Sequence, residues 1–552
     1  MLAAVVFAAL LLVQCSNEEA DPATEVPELT PTPVVTVNPQ PTATPFTPPT
    51  PVPAPTEVLP PANLERGGIL RMAIPEGAPH LDPHLTVSSS LVSWGSGLAY
   101  SRLLKFDSEP DSTTIICDIC ESWTQTTPLS FEFKLRDDVF WQPLRPLNGR
   151  KLTAQDVEFS LNRQREVGSP NAALLSNISE ITTSSDSDLT IRLISPDAEA
   201  LEKLADAHSR IIPREVIDQE GDLRRGPTIG SGPWMTIQEN PEYTELIANP
   251  DYYAPELPYL DGVSFQVMPN TATRVTALRT KIIDVVQAND DLIVAAIDAF
   301  EDIERITTSS SSAGVEVALN TNRAPFDSPA FREVTWNLMN PSAWFESSAI
   351  HANVQSAGLP GSPGDRSSFE GLFNDHENAN SILATGGFTS SDNLVIRVGE
   401  YGPDYIDTAN HLAGAFADVG IRADVDRVST RVFADDVWIG GNFDISVGAP
   451  APIHSISGYL LNVHHSQGSW NTTGISDAEL DRLIEIQAME YNPGKRNEIL
   501  KDLQERIIEA KYRLLIATRN THWAYWNTVE GWDPYITRGD TDFLTRVWKR
   551  SG

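Results

Sequence analysis

The chain has 552 residues, which is more than one simple core accommodates and predicts two or three domains with tails. Hydrophobic residues make up 41% of it, enough for a large interior. Its 40 basic and 75 acidic side chains give a formal net charge of −35, a balance that repels anionic lipid headgroups and argues against nucleic acid as a partner.

The N-terminus begins with an apolar segment that ends close to a cysteine. Residues 2–13 are entirely apolar, which is about the length of a signal-peptide core and too short for a permanent membrane-spanning helix. Residues 12–15 read Leu-Val-Gln-Cys and resemble a lipobox, where cleavage before the cysteine exposes it to diacylation. We therefore predict a signal peptide at residues 1–15 and lipidation of Cys15. A cleaved signal peptide with an incidental cysteine is the alternative.

Residues 16–64 are dominated by proline and threonine, as in the Pro-Pro-Thr-Pro-Val-Pro of residues 48–53. Such a segment cannot form a packed core, because it has no apolar periodicity and its prolines donate no backbone hydrogen bonds. We predict a disordered, extended tether. At ~3.1 Å per residue it reaches up to roughly 150 Å, enough to hold a globular body away from a membrane.

From residue 65 onward, short apolar runs, amphipathic segments and turn residues alternate to the C-terminus, which predicts one continuous α/β body. Thr153 followed by Asp156, and Ser476 followed by Glu479, are capping-box patterns that predict two helix starts. A third helix is predicted around residues 499–507. Strands are predicted at residues 68–74, 189–194, 264–268, 315–320, 394–399 and 514–518. Periodicity alone does not choose between an enzyme and a binding protein.

One ordered run of motifs carries a resemblance to a known family. Residues 227–234 read Pro-Thr-Ile-Gly-Ser-Gly-Pro-Trp, and residues 249–253 follow with Asn-Pro-Asp-Tyr-Tyr. The run continues with Leu-Pro-Tyr-Leu-Asp-Gly-Val at residues 257–263 and Pro-Asn-Thr-Ala-Thr-Arg at residues 269–274. This block resembles the signature of family 5 extracellular solute-binding proteins, the peptide and nickel type of bacterial ABC importers. Further matches extend the similarity over residues 65–550; they lie at residues 67–71, 81–84, 121–123, 152–157, 320–329 and 474–481.

The resemblance implies a two-lobed periplasmic-binding-protein fold of type II in its large three-domain form, with mixed β-sheets flanked by helices. It places lobe I at residues 65–98, 228–315 and 520–552, a small subdomain of that lobe at residues 99–227, and lobe II at residues 316–519. A small solute would sit between the hinged lobes. The implied protein is a non-enzymatic monomer without a cofactor, anchored by lipid to the outer face of the cytoplasmic membrane, in the periplasm or outside the cell.

The partners follow from the same resemblance. The receptor would deliver its solute to an ABC permease in the membrane, and the ATPase must be a separate subunit because the sequence has no phosphate loop with Gly-Lys-Ser/Thr. A surface sensor with the same fold is the alternative function. An exported hydrolase is disfavoured, and we predict no catalytic residue.

In peptide-binding members of the family, the ligand lies extended in the cleft and pairs with backbone segments of both lobes. The matching positions here are Leu85, Thr86, Val87 and Ser88 in one segment, and Gly448, Ala449, Pro450, Ala451, Ile453 and His454 in the other. Trp438 and Trp470 flank the second segment and are the preferred ring contacts. Members that bind a free amino terminus place an aspartate in that segment, whereas residues 449–455 contain no carboxylate. An oligopeptide and a non-peptide solute, such as a glycoside or a metal complex, therefore both stay open.

Two other features of the sequence have chemistry of their own. Cys117 and Cys120 have the spacing of a redox motif, which we interpret as a small structural disulfide loop, with free thiols as the alternative. No second pair of ligands lies near them, so no zinc site is predicted. The adjacent His464 and His465 would point to opposite faces of a strand, and we predict no metal site there either.

Overall fold

A long mixed β-sheet organises the molecule. The computed structural model describes residues 60–107, 114–166, 169–288, 297–346, 372–386, 393–451, 455–534 and 541–550. The strands in these residues are β1 Ile69–Ile74, β2 Leu104–Phe106, β3 Ile115–Cys117, β4 Cys120–Thr127, β5 Ser130–Leu135, β6 Ile178–Thr183, β7 Asp188–Leu193, β8 Trp234–Asn240, β9 Tyr243–Ala248, β10 Gly262–Val267, β11 Val285–Ala288, β12 Ile303–Leu319, β13 Leu394–Gly399, β14 Ala423–Val428, β15 Ile445–Gly448, β16 Arg513–Trp526, β17 Val529–Glu530 and β18 Trp548–Lys549.

Helices cover both halves of the sheet. They are α1 Ser89–Val92, α2 Ala154–Gln164, α3 Ala200–Ala205, α4 Arg214–Glu220, α5 Thr271–Arg279, α6 Pro329–Leu338, α7 Pro341–Glu346, α8 His376–Gly386, α9 Pro403–Asp418, α10 Thr430–Phe433, α11 Ile456–Tyr459, α12 Ala478–Met489 and α13 Pro493–Ala510. Short 3₁₀-helices lie at Pro83–Leu85, Ser96–Ala99, Ala172–Leu175 and Asp542–Arg546. Wider, π-helical turns lie at Ala434–Ile439 and Leu460–His464. Caps of ordinary chemistry begin several helices; Asn492, for example, accepts from the N–H of Lys495 at the start of α13.

The strand order of the large sheet is β14-β13-β15-β12-β16-β11-β1-β10-β9-β8 over the residues that the structure describes. Strands β12 and β16 form the central pair of the sheet. Each is long enough to have one part at either end of the sheet. We call the part with β1 and β8–β11 the first half, and the part with β13–β15 the second half. In the first half β1 pairs in parallel with β10 and β11, and its apolar residues from Leu70 onward are buried on both faces. In the second half β13 pairs in parallel with β14 and β15.

A second hydrophobic core lies within residues 100–229, which overlap the small subdomain predicted at residues 99–227. We keep the name small subdomain for this part of the chain, and its boundaries stay a prediction. Its antiparallel sheet has the order β4-β5-β7-β6, and its core is built on Phe131, Phe133 and Ile191. Helix α2 begins with the predicted capping box: the Thr153 side chain accepts from the N3 backbone, and Asp156 accepts from the N–H of Thr153 at 2.9 Å. That prediction is confirmed.

The C-terminal residues return to the first half. Strand β16 pairs with β11, and the N–H of Tyr259 donates to the carbonyl of Thr545 at 3.0 Å. Lys549 lies 3.1 Å from the carboxylate of Asp284, which also receives the guanidinium of Arg71 from β1. The first half therefore needs residues from both ends of the chain.

The predicted strands 68–74 and 394–399 are confirmed within one residue. The predicted strands 315–320 and 514–518 are too short, since they are parts of β12 and β16. The second capping box is wrong, because Asp477 rather than Ser476 caps α12 by accepting from the N–H groups of Glu479 and Leu480. A carboxylate at that position reaches both N–H groups and also pairs with Arg506.

The predicted signal peptide, Cys15 and most of the predicted tether lie outside the described residues. Among the residues that the structure does describe, no helix combines the length and apolar character needed to cross a bilayer.

Candidate functional site

The parallel strands of both sheet halves end at the junction between the halves. In the second half β15 runs antiparallel to β12, so that Gly448 at its carboxyl end lies opposite Glu316, which is closer to the middle of β12 than Leu319 is. In the first half Ala288, at the carboxyl end of β11, lies opposite His522, which is closer to the middle of β16 than Tyr525 is. Ligands of open α/β sheets bind outside the carboxyl ends of strands. The junction is therefore the candidate site.

The two long strands change register at this junction. Ser310 of β12 pairs with Arg519, but the next paired residue, Val315, faces Ala517. At Gly314 a Cβ atom would lie 2.2 Å from the carbonyl oxygen of Ala517, so only glycine permits this approach. An irregularity in the two strands that join the halves is where bending is easiest. The lobe boundaries predicted at 315/316 and 519/520 lie beside it and stay a prediction.

On the side of the first half, the Leu-Asp-Pro-His turn at residues 81–84 is held by hydrogen bonds to the small subdomain. The fully buried Asp82 accepts from both terminal nitrogens of Arg163, at 3.0 and 2.5 Å, and from the N–H of Leu223 at 3.1 Å. Burial by itself raises the pKa of Asp82, but the hydrogen bonds and charge of Arg163 outweigh burial and hold it below its ordinary value. The turn thus ties the first half to α2 of the small subdomain.

The predicted contacts Leu85, Thr86, Val87 and Ser88 follow this turn. His80 binds the carbonyl of Leu85 at 3.0 Å, Asn171 donates to the carbonyl of Thr86 at 2.7 Å, and the N–H of Ser88 donates to the hydroxyl of Thr86. Val87 is 64% exposed, and its backbone makes no hydrogen bond within the described part of the chain. Val87 is thus the residue of this segment whose backbone is available to a ligand.

On the side of the second half, the predicted segment begins at a tightly packed glycine. At Gly448 a Cβ atom would lie 2.2 Å from Cζ of Phe433, so that the phenyl ring occupies the place of a side chain. Pro450 and Ala451 are buried and Ala449 is half-buried. Ile453 and His454 lie outside the described residues. These contacts also stay a prediction.

The structure brings Trp438 and Trp470 together. Their rings are parallel within 9°, with centroids 6.4 Å apart. Tyr401 lies 6.3 Å from Trp438 on a tilt of 29°, and Phe433 meets Trp438 edge-on at 5.9 Å. We call Tyr401, Phe433, Trp438 and Trp470 the aromatic cluster. Phe433 links it to Gly448, so three predicted site residues share one neighbourhood.

Sequence reasoning missed Tyr401 and Phe433. The signal available for them is Gly399 at the end of β13, where a Cβ atom would lie 2.4 Å from Cε2 of Tyr401 and 3.0 Å from Cδ2 of Phe433. A glycine that ends an apolar strand indicates that another group approaches closely there. It does not say which group.

A buried ionic group lies below the second segment. Arg513 of β16 and Tyr459 of α11 both donate to the carboxylate of Glu316, which is opposite Gly448. His464 is fully buried nearby, and its Nδ1 lies 2.6 Å from the hydroxyl of Tyr512. His464 is in the wide turn before α12 and not on a strand, so the predicted opposite-face arrangement of His464 and His465 does not apply.

Comparison with models of protein families identifies the family of this chain. Residues 114–470 match the model of the bacterial extracellular solute-binding proteins, family 5, in its middle region. The chain belongs to this family. As a family 5 solute-binding protein it is not an enzyme, in agreement with the sequence analysis.

Different ligands are named for the relatives of this family 5 protein and for the solved structures that resemble it. It is 26% identical over 322 residues to the nickel-binding periplasmic protein of Escherichia coli (strain K12), which covers 56% of this chain and 59% of that protein. The chain thus spans about three fifths of the length of this curated relative.

Two solved structures show the fold. Helicobacter pylori DppA in complex with the peptide STSA has a TM-score of 0.67 and 20% identity, covering 88% of this chain and 99% of that one. AgaA in complex with agropinic acid, from A.tumefacien R10, has a TM-score of 0.69 and 20% identity, covering 88% and 99%. The first is an ABC transporter-associated periplasmic binding protein by name, and the second is named as a PBP. The mixed α/β, two-lobed fold expected for this family 5 protein is therefore confirmed.

The small subdomain of this family 5 protein contacts the second half of the sheet, beside the junction. The N–H of Ala198 donates to the carbonyl of Ala488 at 2.8 Å. The hydroxyl of Tyr491 accepts from the N–H of Asp197 at 2.9 Å and donates to the carbonyl of Pro128 at 2.7 Å. These contacts bridge two parts of the chain that a hinge motion would separate.

The structure joins Cys117 and Cys120 in a disulfide, with Cα atoms 5.0 Å apart. Between them, Asp118 accepts from the N–H of Arg102 at 2.7 Å and from the hydroxyl of Tyr253 at 2.6 Å. The loop therefore presents a buried carboxylate to the rest of the small subdomain and to the first half. The oxidation state of the pair stays a prediction.

Proposed function

We propose that this protein is the solute receptor of an ABC importer, which closes on a small polar solute and delivers it unchanged to a membrane permease with separate ATPase subunits. The observation that carries the proposal is the convergence of the parallel strand ends of both halves on the junction where β12 and β16 change register. Membership of the solute-binding family supports it. Two parts of a sheet that are joined through a pair of irregular strands are suited to closing on a ligand by a hinge motion.

The first test is the identity of the solute. We expect mass spectrometry of protein purified without denaturation or extensive dialysis to find one small solute in stoichiometric amount. Calorimetry with that solute should then give binding without turnover, and cells lacking the gene should import it more slowly. Consumption of the solute by the purified protein would point to a hydrolase, and normal import would favour a sensor.

We propose that an ordinary peptide is not held by its amino terminus in this protein. Residues 449–455 contain no carboxylate, and Pro450 and Ala451 are buried. An ammonium group brought to this segment would be buried without an opposite charge, which is strongly unfavourable. This favours a non-peptide solute or a peptide held elsewhere. Tight calorimetric binding of tri- to pentapeptides, lost on N-acetylation, would contradict it.

We also propose that Cys15 carries the lipid anchor and that residues 16–64 form the tether. The Leu-Val-Gln-Cys sequence at residues 12–15 supports the first statement, and the proline and threonine content supports the second. Metabolic labelling with a radioactive fatty acid should mark the wild-type protein and not a Cys15→Ala variant. Equal release of both proteins into the medium would contradict the anchor.

A further inference from the structure

The aromatic cluster carries polar atoms that have no partner. The hydroxyl oxygen of Tyr401 and the indole Nε1 of Trp438 are buried and make no hydrogen bond within the residues that the structure describes. The same holds for the hydroxyl of Thr472, which is tied to the cluster because its N–H donates to the carbonyl of Trp470 at 2.9 Å. Buried donors without acceptors are rare in folded proteins, so three around one cluster call for an explanation.

These three groups are donors at neutral pH. Burial raises the pKa of Tyr401 to about 12, so the phenol keeps its proton. An indole N–H only donates, and a threonine hydroxyl donates as readily as it accepts. The missing partners are therefore hydrogen-bond acceptors.

The residues that carry these rings are partly exposed to solvent. Tyr401, Trp438 and Trp470 are half-buried, whereas Phe433 is fully buried behind them. Parallel indoles offer a flat, apolar surface to the face of another ring, whether that ring is aromatic or a sugar with its C–H bonds on one side.

The cation beside the cluster is already paired with carboxylates. Arg397 of β13 donates to Asp436 at 2.6 Å and to Asp426 at 3.1 Å. None of the cluster residues or Thr472 is charged. An anionic ligand group would therefore lose water at this surface without gaining the charge of Arg397.

We propose that the aromatic cluster and Thr472 form a subsite for a neutral, ring-bearing part of the solute, whose oxygen atoms accept hydrogen bonds from Tyr401, Trp438 and Thr472. The proposal rests on the proposed function as a solute receptor, and it names the chemical class of the solute. Glycosides and neutral aromatic groups with ether or carbonyl oxygens both have this chemistry. A quaternary ammonium also binds ring faces, but it has no acceptor and leaves all three donors unpaired.

The position of the cluster fits this role. Tyr401 follows the carboxyl end of β13, and Phe433 packs on Gly448 at the carboxyl end of β15, so the subsite borders the junction between the halves. Its residues come from three separate segments of the chain, which glycines at 399 and 448 allow to converge.

The test uses the full mature chain and measures tryptophan fluorescence and calorimetry with four probes: cellobiose, the aryl glucoside salicin, tetra-alanine and acetylcholine. We expect a ring-bearing neutral probe to bind. Trp438→Leu should weaken that binding at least about tenfold, by loss of stacking. Tyr401→Phe and Thr472→Val keep the shape and remove one donor each, so each should weaken it about fivefold.

A stability measurement separates this subsite from a packing role. Because Tyr401→Phe removes a buried hydroxyl that has no partner in the free protein, it should leave the urea midpoint unchanged or raise it. Tyr243→Phe is the matched control: it removes a hydroxyl that donates to Glu245 at 3.0 Å in the first half, and it should not change binding. We expect Tyr401→Phe to bind the probe more weakly while keeping full stability, and Tyr243→Phe not to show this combination.

Other outcomes overturn the subsite. If a ring-bearing probe binds equally well to wild type, Trp438→Leu and Tyr401→Phe, the subsite is wrong while the receptor function stands. Binding of only acetylcholine or only tetra-alanine also contradicts it, since neither is a neutral ring. If no probe binds and no solute accompanies the purified protein, the proposed receptor function fails and the subsite fails with it.

Discussion

Glu199 of the small subdomain and Arg496 of α13 form a buried ion pair across the two parts of the molecule, with Nη2 of Arg496 2.5 Å from Oε1 of Glu199. The same carboxylate oxygen accepts from the N–H of Ser457 at 3.0 Å. The side chains are 1% and 12% exposed. A charge pair so well shielded from water is costly to break from one side only.

We expect Arg496→Met to lower the free energy of unfolding by about 3 kcal/mol, because it leaves the buried Glu199 carboxylate without its cation. Urea unfolding measures this, and hydrogen exchange at the amides of Ser457 and Ala198 should speed up. Arg482→Met is the control, since its exposed pair with Glu479 is worth less than about 1 kcal/mol. Equal effects of the two variants would show that the bridge does not hold the parts together.

The bridge also predicts a response to acid. Burial raises the pKa of Glu199, but the charge of Arg496 and the hydrogen bonds of Ser457 and Arg496 outweigh burial and place it below the ordinary 4.5. Its stabilising contribution is therefore complete above pH 4.5 and is lost as the pH falls through the lower folded pKa. Hydrogen exchange at Ser457 should be slow and constant from pH 7 to 5 after correction for intrinsic rates. Opening of the contact above pH 5 would contradict the assignment.

Two buried histidines predict a loss of stability in mild acid. Burial lowers the pKa of His84 to about 4 and that of His464 to about 3, from 6.5. The unfolded chain binds protons below pH 6.5 while the folded chain does not, so each histidine lowers the free energy of unfolding by about 2 kcal/mol at pH 5. His464→Gln should reduce this slope between pH 7 and 5 in urea titrations. His376→Gln, at an exposed position, is the matched control.

Gly314 in the middle of β12 predicts a strong steric effect. Gly314→Ala places a Cβ atom 2.2 Å from the Ala517 carbonyl oxygen, which is backbone and cannot turn away. We expect a loss of about 1–3 kcal/mol and a changed affinity for the solute, because the strands that join the halves must move apart. Gly414→Ala is the control: it lies within α9 with nothing within 4 Å, so it should stabilise by up to about 1 kcal/mol.

The disulfide predicts a small effect on stability. The loop between Cys117 and Cys120 closes over a separation of 3 residues, for which chain entropy gives at most about 2 kcal/mol. Thiol titration of the mature chain under denaturing conditions should find these two thiols only after reduction. A double Cys117→Ser, Cys120→Ser variant should remain folded. Two titratable thiols without reductant would show that the pair is not oxidised.

Local chemistry accounts for what could be predicted from the sequence. The strand Leu394–Gly399 and the capping box at Thr153 depend on neighbours in sequence, and both were predictable. The full lengths of β12 and β16 were not, because the serine and threonine residues at 307–312 have no apolar alternation although each end is paired. The Asp82–Arg163 pair joins residues 81 positions apart, and no local pattern indicates it.

The candidate site was likewise predictable only in part. Trp438 and Trp470 were selected because they flank a segment that the family places at the cleft, and the structure stacks them on each other. Tyr401, after β13, and Phe433, at the end of α10, reach the same place through contacts that depend on the tertiary fold. Leu85 and Thr86 looked available in the sequence, but His80 and Asn171 already occupy their carbonyl groups.

The return of the C-terminal residues to the first half has a consequence for synthesis. Strand β1 leaves the ribosome early, yet Lys549 binds the carbonyl of Ile69 across 480 positions, and β11 cannot pair with β16 until residues 522–525 exist. The first half of the sheet is therefore the first part to be synthesised and the last part to have all of its strands paired. A nascent or truncated chain exposes unpaired strand edges throughout that interval, which makes it a client for holding factors during export and a target for proteases if elongation stops early.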